Sequence, residues 1–97
     1  RNWRPTWRVW PTDDPDAATV ETVRMYFIEN NSDFRFYSPT LVNLQAAVGD
    51  IIRLTRVDEE QVVFDCALAR RGSAAFTLWE PHLIFPIRNS ARRYGFA

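Results

Sequence analysis

Residues 34–57, FRFYSPTLVNLQAAVGDIIRLTRV, read as strand, short helix, tight turn and strand. Ser38 is a good N-cap, and Pro39 suits the first helical position because an N–H there would lack an intrahelical partner anyway. Leu41, Leu44 and Val48 follow at helical spacing and form one apolar stripe. Gly49 can take the left-handed conformation that closes a helix, so the helix is predicted over 38–48. Asp50 then leads into a β-branched strand with Ile52 and Leu54 on one face and Ile51, Arg53 and Thr55 on the other. Leu41, Leu44, Val48, Ile52 and Leu54 are the expected core of this unit.

Upstream, residues 20–29 alternate as one strand, with Val23, Met25 and Phe27 on one face and Arg24, Tyr26 and Ile28 on the other. A four-residue loop over 30–33 would join it to 34–37, pairing Phe27 with Phe36 and Tyr26 with Tyr37. A loop one residue longer or shorter would set Phe27 against an outward Arg, because a one-residue slip reverses every side chain. The outer face of this hairpin is then expected to carry Arg24, Tyr26, Arg35 and Tyr37. At the start of the chain, RNWRPTWRVW interleaves Arg with Trp, and residues 6–10 form a candidate strand with Trp7 and Val9 on one face and Arg8 and Trp10 on the other. The Arg side chains there are either solvated at a sheet edge or part of an arm that grips phosphates while the Trp rings stack on bases. Residues 11–19 carry two Pro and three Asp without periodicity and read as loop.

Downstream, residues 61–69 alternate with Val62, Phe64, Cys66 and Leu68 inward. Arg70-Arg71-Gly72 reads as a three-residue hairpin loop with Gly at the position that needs positive φ. That register sets Cys66 opposite Phe76 and Phe64 opposite Leu78, and puts Arg70 and Arg71 at an exposed tip. Glu80-Pro81 ends the strand, a short helix is expected near 80–84, and residues 82–87 form a last edge strand interrupted by Pro86. The basic stretch 88–97 either docks through Tyr94 and Phe96 or frays as a flexible tail.

Composition sets the limits. The 97 residues suffice for one domain, and an apolar fraction of 46% with four Trp points to a packed core. The chain opens on Arg1 rather than Met, from which a domain excised from a larger protein is expected. Net charge is zero, yet residues 1–10 carry +3 and 66–97 carry +4, while the acids gather in 11–34 and 58–65. All twelve basic residues are Arg. Such a bias arises from a GC-rich genome or from a need for planar, bidentate contacts to phosphate and bases, which Lys cannot make.

Catalysis has little to draw on. One His and one Cys cannot assemble a zinc site, no Lys is present to complete a metal-dependent nuclease core, and no glycine-rich phosphate loop exists. Cys66 falls on a core face and reads as a small buried hydrophobe. The acidic loop lacks the Gly and distal Glu of a calcium loop. No catalytic role, metal or cofactor is expected of this domain alone.

The residues Phe36-Tyr37-Ser38-Pro39 with Leu41 and Leu44, followed by Val48-Gly49-Asp50-Ile51-Ile52, resemble the B3-type DNA-binding pseudobarrel. That family occurs in plant transcription factors and in recognition or effector domains of bacterial restriction endonucleases. The resemblance spans about a quarter of the chain. It implies double-stranded DNA lying against one sheet face, in a cytoplasmic bacterial restriction or defence protein. Gly49-Asp50-Ile51-Ile52-Arg53-Leu54 fits an oligonucleotide-binding fold as well, which would stack single strands on Trp and Tyr.

The expected fold is therefore mainly β: a small open or pseudo-barrel of six to seven strands with one or two short helices. The candidate DNA-binding residues are Arg24, Tyr26, Arg35, Tyr37, Arg70 and Arg71, with Arg4, Arg8 and Arg53 behind them; each is otherwise a solvated surface residue. A third possibility is a protein-interaction domain anchored on Trp3, Trp7, Trp10 or Trp79.

Overall fold

The computed structural model describes residues 2–28, 33–87 and 92–96. Along the chain run β1 (Asn2–Trp3), β2 (Thr6–Pro11), a 3-10 turn (Pro15–Ala17), β3 (Thr19–Thr22), β4 (Arg24–Ile28) and β5 (Asp33–Tyr37). There follow α1 (Pro39–Asn43), β6 (Ile51–Glu59), β7 (Val62–Ala69), α2 (Ala74–Trp79), a 3-10 turn (Glu80–His82), β8 (Phe85–Pro86) and β9 (Arg93–Tyr94). The fold is mainly β, and its sheets stay open rather than closing into a barrel.

The organising element is a bent hairpin. Residues 2–11 and 19–28 keep one antiparallel register from Asn2↔Tyr26 and Trp3↔Met25 through to Val9↔Thr19. The ladder changes partners at Pro5 and Val23, where the Val23 N–H donates to the Pro5 carbonyl at 3.0 Å. Pro5 has no N–H to give, so the bend falls where the ladder lacks a donor. On one side of the bend, β4 recruits β5, making a sheet of order β1-β4-β5. On the other side, β2 recruits β7, making a sheet of order β3-β2-β7-β6.

The β2–β7 pairing is parallel, with Trp7↔Phe64, Val9↔Cys66 and Pro11↔Leu68 in register. Trp7 lies wholly buried between the two sheets, its ring 5.1 Å from Phe36 of one and 6.1 Å from Phe64 of the other. Around it pack Val9, Val23, Met25, Leu41, Cys66 and Leu68. Burial pushes the Cys66 thiol up to about 12, with the charge of Glu21 adding to the shift; Cys66 is thus a core residue with no thiolate character near neutrality.

Several expectations are met. Trp7 and Val9 share one face of their strand, which proves to be the buried one, and Val62, Cys66 and Leu68 face inward. The Ser38 hydroxyl accepts the Leu41 N–H at 3.1 Å, with Pro39 at the first helical position. Gly49 and Gly72 take positive φ, at 98° and 88°. A short helical turn does follow at Glu80–His82.

Others need correction. The predicted strand over 73–79 is the helix α2, so the Cys66–Phe76 and Phe64–Leu78 pairings do not exist. Ser73 caps that helix by accepting the Phe76 N–H at 3.1 Å, and the good helix formers Ala74 and Ala75 follow. Cys66 is instead flanked by Leu54 on β6 and Val9 on β2. The single strand expected over 20–29 is split at Val23 between two sheets. The β4–β5 register is shifted by two residues, giving Met25↔Phe36 and Phe27↔Phe34 rather than Phe27↔Phe36. A shift of two keeps every residue on its face. The loop expected there falls largely on residues outside those described.

Helix α1 ends at Asn43, not at Val48. Gln45 takes φ 57°, the Gln45 N–H donates to the Val42 carbonyl at 2.9 Å and the Ala46 N–H to the Leu41 carbonyl at 3.0 Å. These are the two bonds of a Schellman motif, which leaves the helix before its apolar stripe is complete. Val48 is consequently fully exposed, and Leu54 is 39% exposed rather than core. The last strand is confined to Phe85–Pro86 and pairs with β9. Residues 92–96 dock there, the Tyr94 ring tilted against Phe85 at 5.3 Å and the Phe96 ring edge-on to it at 6.4 Å.

Candidate nucleic-acid interface

Strand alternation and register build one exposed face. Met25 and Phe36 point from β4 and β5 into the core, so their neighbours Arg24, Tyr26, Arg35 and Tyr37 point away from it. Arg24 lies directly across from Tyr37, and Tyr26 across from Arg35. The four side chains thus form a checkerboard of two cations and two phenols. Arg24, Arg35 and Tyr37 are exposed and Tyr26 is half-buried. The Arg24 guanidinium sits 4.9 Å from the Tyr26 ring centroid, a cation–π contact that holds its planar fork over the sheet.

The face is fixed from behind. Glu21 on β3 accepts the Thr40 N–H at 3.0 Å, the Thr40 hydroxyl and the Ser38 hydroxyl. Charge-assisted bonds of this kind are stronger than neutral ones. They clamp the start of α1 to the four-stranded sheet, and so fix where Tyr37 leaves β5.

The remaining candidates lie elsewhere. Arg70 and Arg71 are not at a hairpin tip, because the turn they occupy leads from β7 into α2. Arg70 is half-buried and donates from Nη2 to the Leu44 carbonyl at 2.6 Å. The Arg71 N–H donates to Asp50 Oδ1 at 2.9 Å, while Asp50 Oδ2 accepts the Ala47 N–H at 2.9 Å. The Arg71 guanidinium lies against Gly49, where an added Cβ would come 3.3 Å from Arg71 Cζ. Both arginines therefore fasten the 44–50 loop to the turn after β7. Burial alone would raise the Asp50 carboxyl, but those N–H groups and the two nearby guanidiniums hold it below its ordinary value.

Arg8 forms ion pairs with Glu59 at 2.8 Å and Asp65 at 2.7 Å, so its charge is met within the protein. Hydrogen bonds to those carboxylates push its pKa above the ordinary arginine value, and the bond from Arg8 holds Glu59 below its own. The acidic block 58–65 was a visible signal for this pairing; the parallel β2–β7 register that delivers it was not. Arg4 is exposed in the bend between β1 and β2. Arg53 lies over the Trp79 ring at 4.4 Å, in a separate cleft. Of the tryptophan anchors, Trp7 is excluded by its complete burial.

Among the described residues no cluster of His, Cys, Asp and Glu is placed to hold a metal ion, and no helix is long and apolar enough to cross a membrane. No family model, curated protein or solved structure matches the chain.

Proposed function

We propose that this domain is a sequence-specific double-stranded DNA-binding module of the B3 type, serving as a recognition or effector domain in a bacterial restriction or defence protein. One observation carries the proposal: the exposed checkerboard of Arg24, Tyr26, Arg35 and Tyr37 on β4 and β5. The guanidinium fork matches phosphate oxygens and the O6/N7 edge of guanine, and a tyrosine hydroxyl donates to phosphate. A rigid sheet backed by Trp7, Met25 and Phe36 spaces these groups at strand intervals. Zero net charge limits non-specific attraction, which places the burden of affinity on this patch.

The test is a salt titration of duplex binding. Each phosphate neutralised adds about 0.9 to the slope of log affinity against log salt, so two arginines account for roughly two units. Selection of bound duplexes from a random pool would then give the recognised sequence. Absence of binding to any duplex at low salt would sink the proposal.

A further inference from the structure

A cleft of about 670 Å³ opens along the edge strand β6, lined by Arg53, Leu54 and Arg56 on that strand and by Trp79, His82 and Phe96 from the C-terminal third. Its volume falls in the range of small-molecule sites, roughly 300–1,000 Å³. The lining combines aromatic rings and aliphatic side chains with the guanidiniums of Arg53 and Arg56, and no Asp or Glu belongs to it among the described residues. Arg56 is tied to Asp58 at 2.9 Å. Arg53 is exposed and, among the described residues, pairs with no carboxylate; its guanidinium lies 4.4 Å from the Trp79 ring centroid.

A guanidinium 4.4 Å from an indole centroid is covered on the side that faces the ring, while its opposite face and its N–H edges, which meet no hydrogen-bond acceptor among the described residues, are left for a ligand. A planar base stacks on that free face, and a phosphate accepts from those edges. Phe96, 80% exposed at the same cleft, supplies a second aromatic surface. We propose that this cleft binds a single nucleotide unit, base on the Arg53–Trp79 stack and phosphate at the Arg53 N–H edge. The site is independent of the β4–β5 patch and stands or falls separately from duplex binding.

The indole N–H resonances in a 1H–15N correlation spectrum report on it, with Trp79 assigned through Trp79→Phe. Thymidine 5′-monophosphate should move the Trp79 signal, thymidine should do so more weakly, and inorganic phosphate should not reproduce the shift. Arg53→Gln, an exposed change that leaves the core intact, should weaken the nucleotide by roughly tenfold or more. The same variant should leave duplex affinity at the β4–β5 patch unchanged. A thymidine tetranucleotide binding more tightly than the mononucleotide assigns the site to an unpaired strand, and equal affinity assigns it to a free nucleotide. No Trp79 shift at millimolar nucleotide, an equal shift from phosphate alone, or full retention of binding in Arg53→Gln would overturn the proposal.

Discussion

The Val23 N–H reaches the Pro5 carbonyl at 3.0 Å where the long hairpin passes from one sheet to the other. Val23 is wholly buried there, between the strands that hold Trp7 and Met25. The bend thus joins a backbone bond to a dry side-chain site, and substitutions separate the two contributions.

Val23→Thr keeps the shape and the backbone bond but buries a hydroxyl. Its expected cost is about 1–3 kcal/mol, read as a lowered midpoint in urea with an unchanged m-value. Val20→Thr, at a position 58% exposed on the neighbouring strand, should stay within roughly 0.5 kcal/mol. Equal effects at the two positions would mean that the bend is not dry.

The end of α1 is held by Gln45 at φ 57°, a left-handed conformation that a side chain disfavours. Gln45 is exposed and its cap bonds are made by the backbone alone. Gln45→Gly should therefore stabilise the protein, by about 1 kcal/mol, from relief of the left-handed penalty. A thermal melt that falls instead would show that the Gln45 side chain itself contributes.

The Asp50 carboxyl sits below its ordinary value of 3.8 because the hydrogen bonds and guanidiniums around it outweigh its burial. A carboxyl that ionises more readily when folded binds fewer protons than in the unfolded chain. Its stabilising contribution is whole above about pH 3.8 and is lost as the pH falls through the lower folded value. Urea midpoints of the wild type and Asp50→Asn should accordingly differ at pH 6 and converge under acid. A gap that persists at pH 2 would assign the effect to shape rather than charge.

Arg24→Ala combined with Arg35→Ala should abolish duplex binding while moving stability by no more than about 0.5 kcal/mol per site, since both side chains are exposed. Loss of folding in this double variant would mean that the two faces of β4 and β5 have been assigned backwards.

Local chemistry was legible wherever it was short-ranged. Ser38 and Pro39 announced α1, alternation put Trp7 and Val9 on a common face and Cys66 and Leu68 inward, and Gly49 and Gly72 marked their turns. The outer patch survived a two-residue error in register because strand parity, not register, decides which side chains face out. What misled was apolar sequence compatible with either period. AAFTLW at 74–79 alternates well enough for a strand, and the cap at Ser73 that makes it helical was read as part of a hairpin. Val48 fitted the α1 stripe, but nothing local predicted that Gln45 would end the helix first. The pairing of β2 with β7, the ion pairs of Arg8 and the cleft around Trp79 all depend on distant partners, and no local pattern records them.

The parallel seam between β2 and β7 also bears on how the molecule assembles. Arg8 and Asp65, partners across it, are 57 residues apart in the chain, whereas β2–β3 and β6–β7 are hairpins of neighbouring strands. Closing so long a loop has to precede any contact along the seam, while both hairpins can form on local information. The seam is then one late zipper between hairpins that form early. Weakening the zipper should accelerate unfolding far more than it slows refolding, a separation that the two arms of a chevron plot report directly.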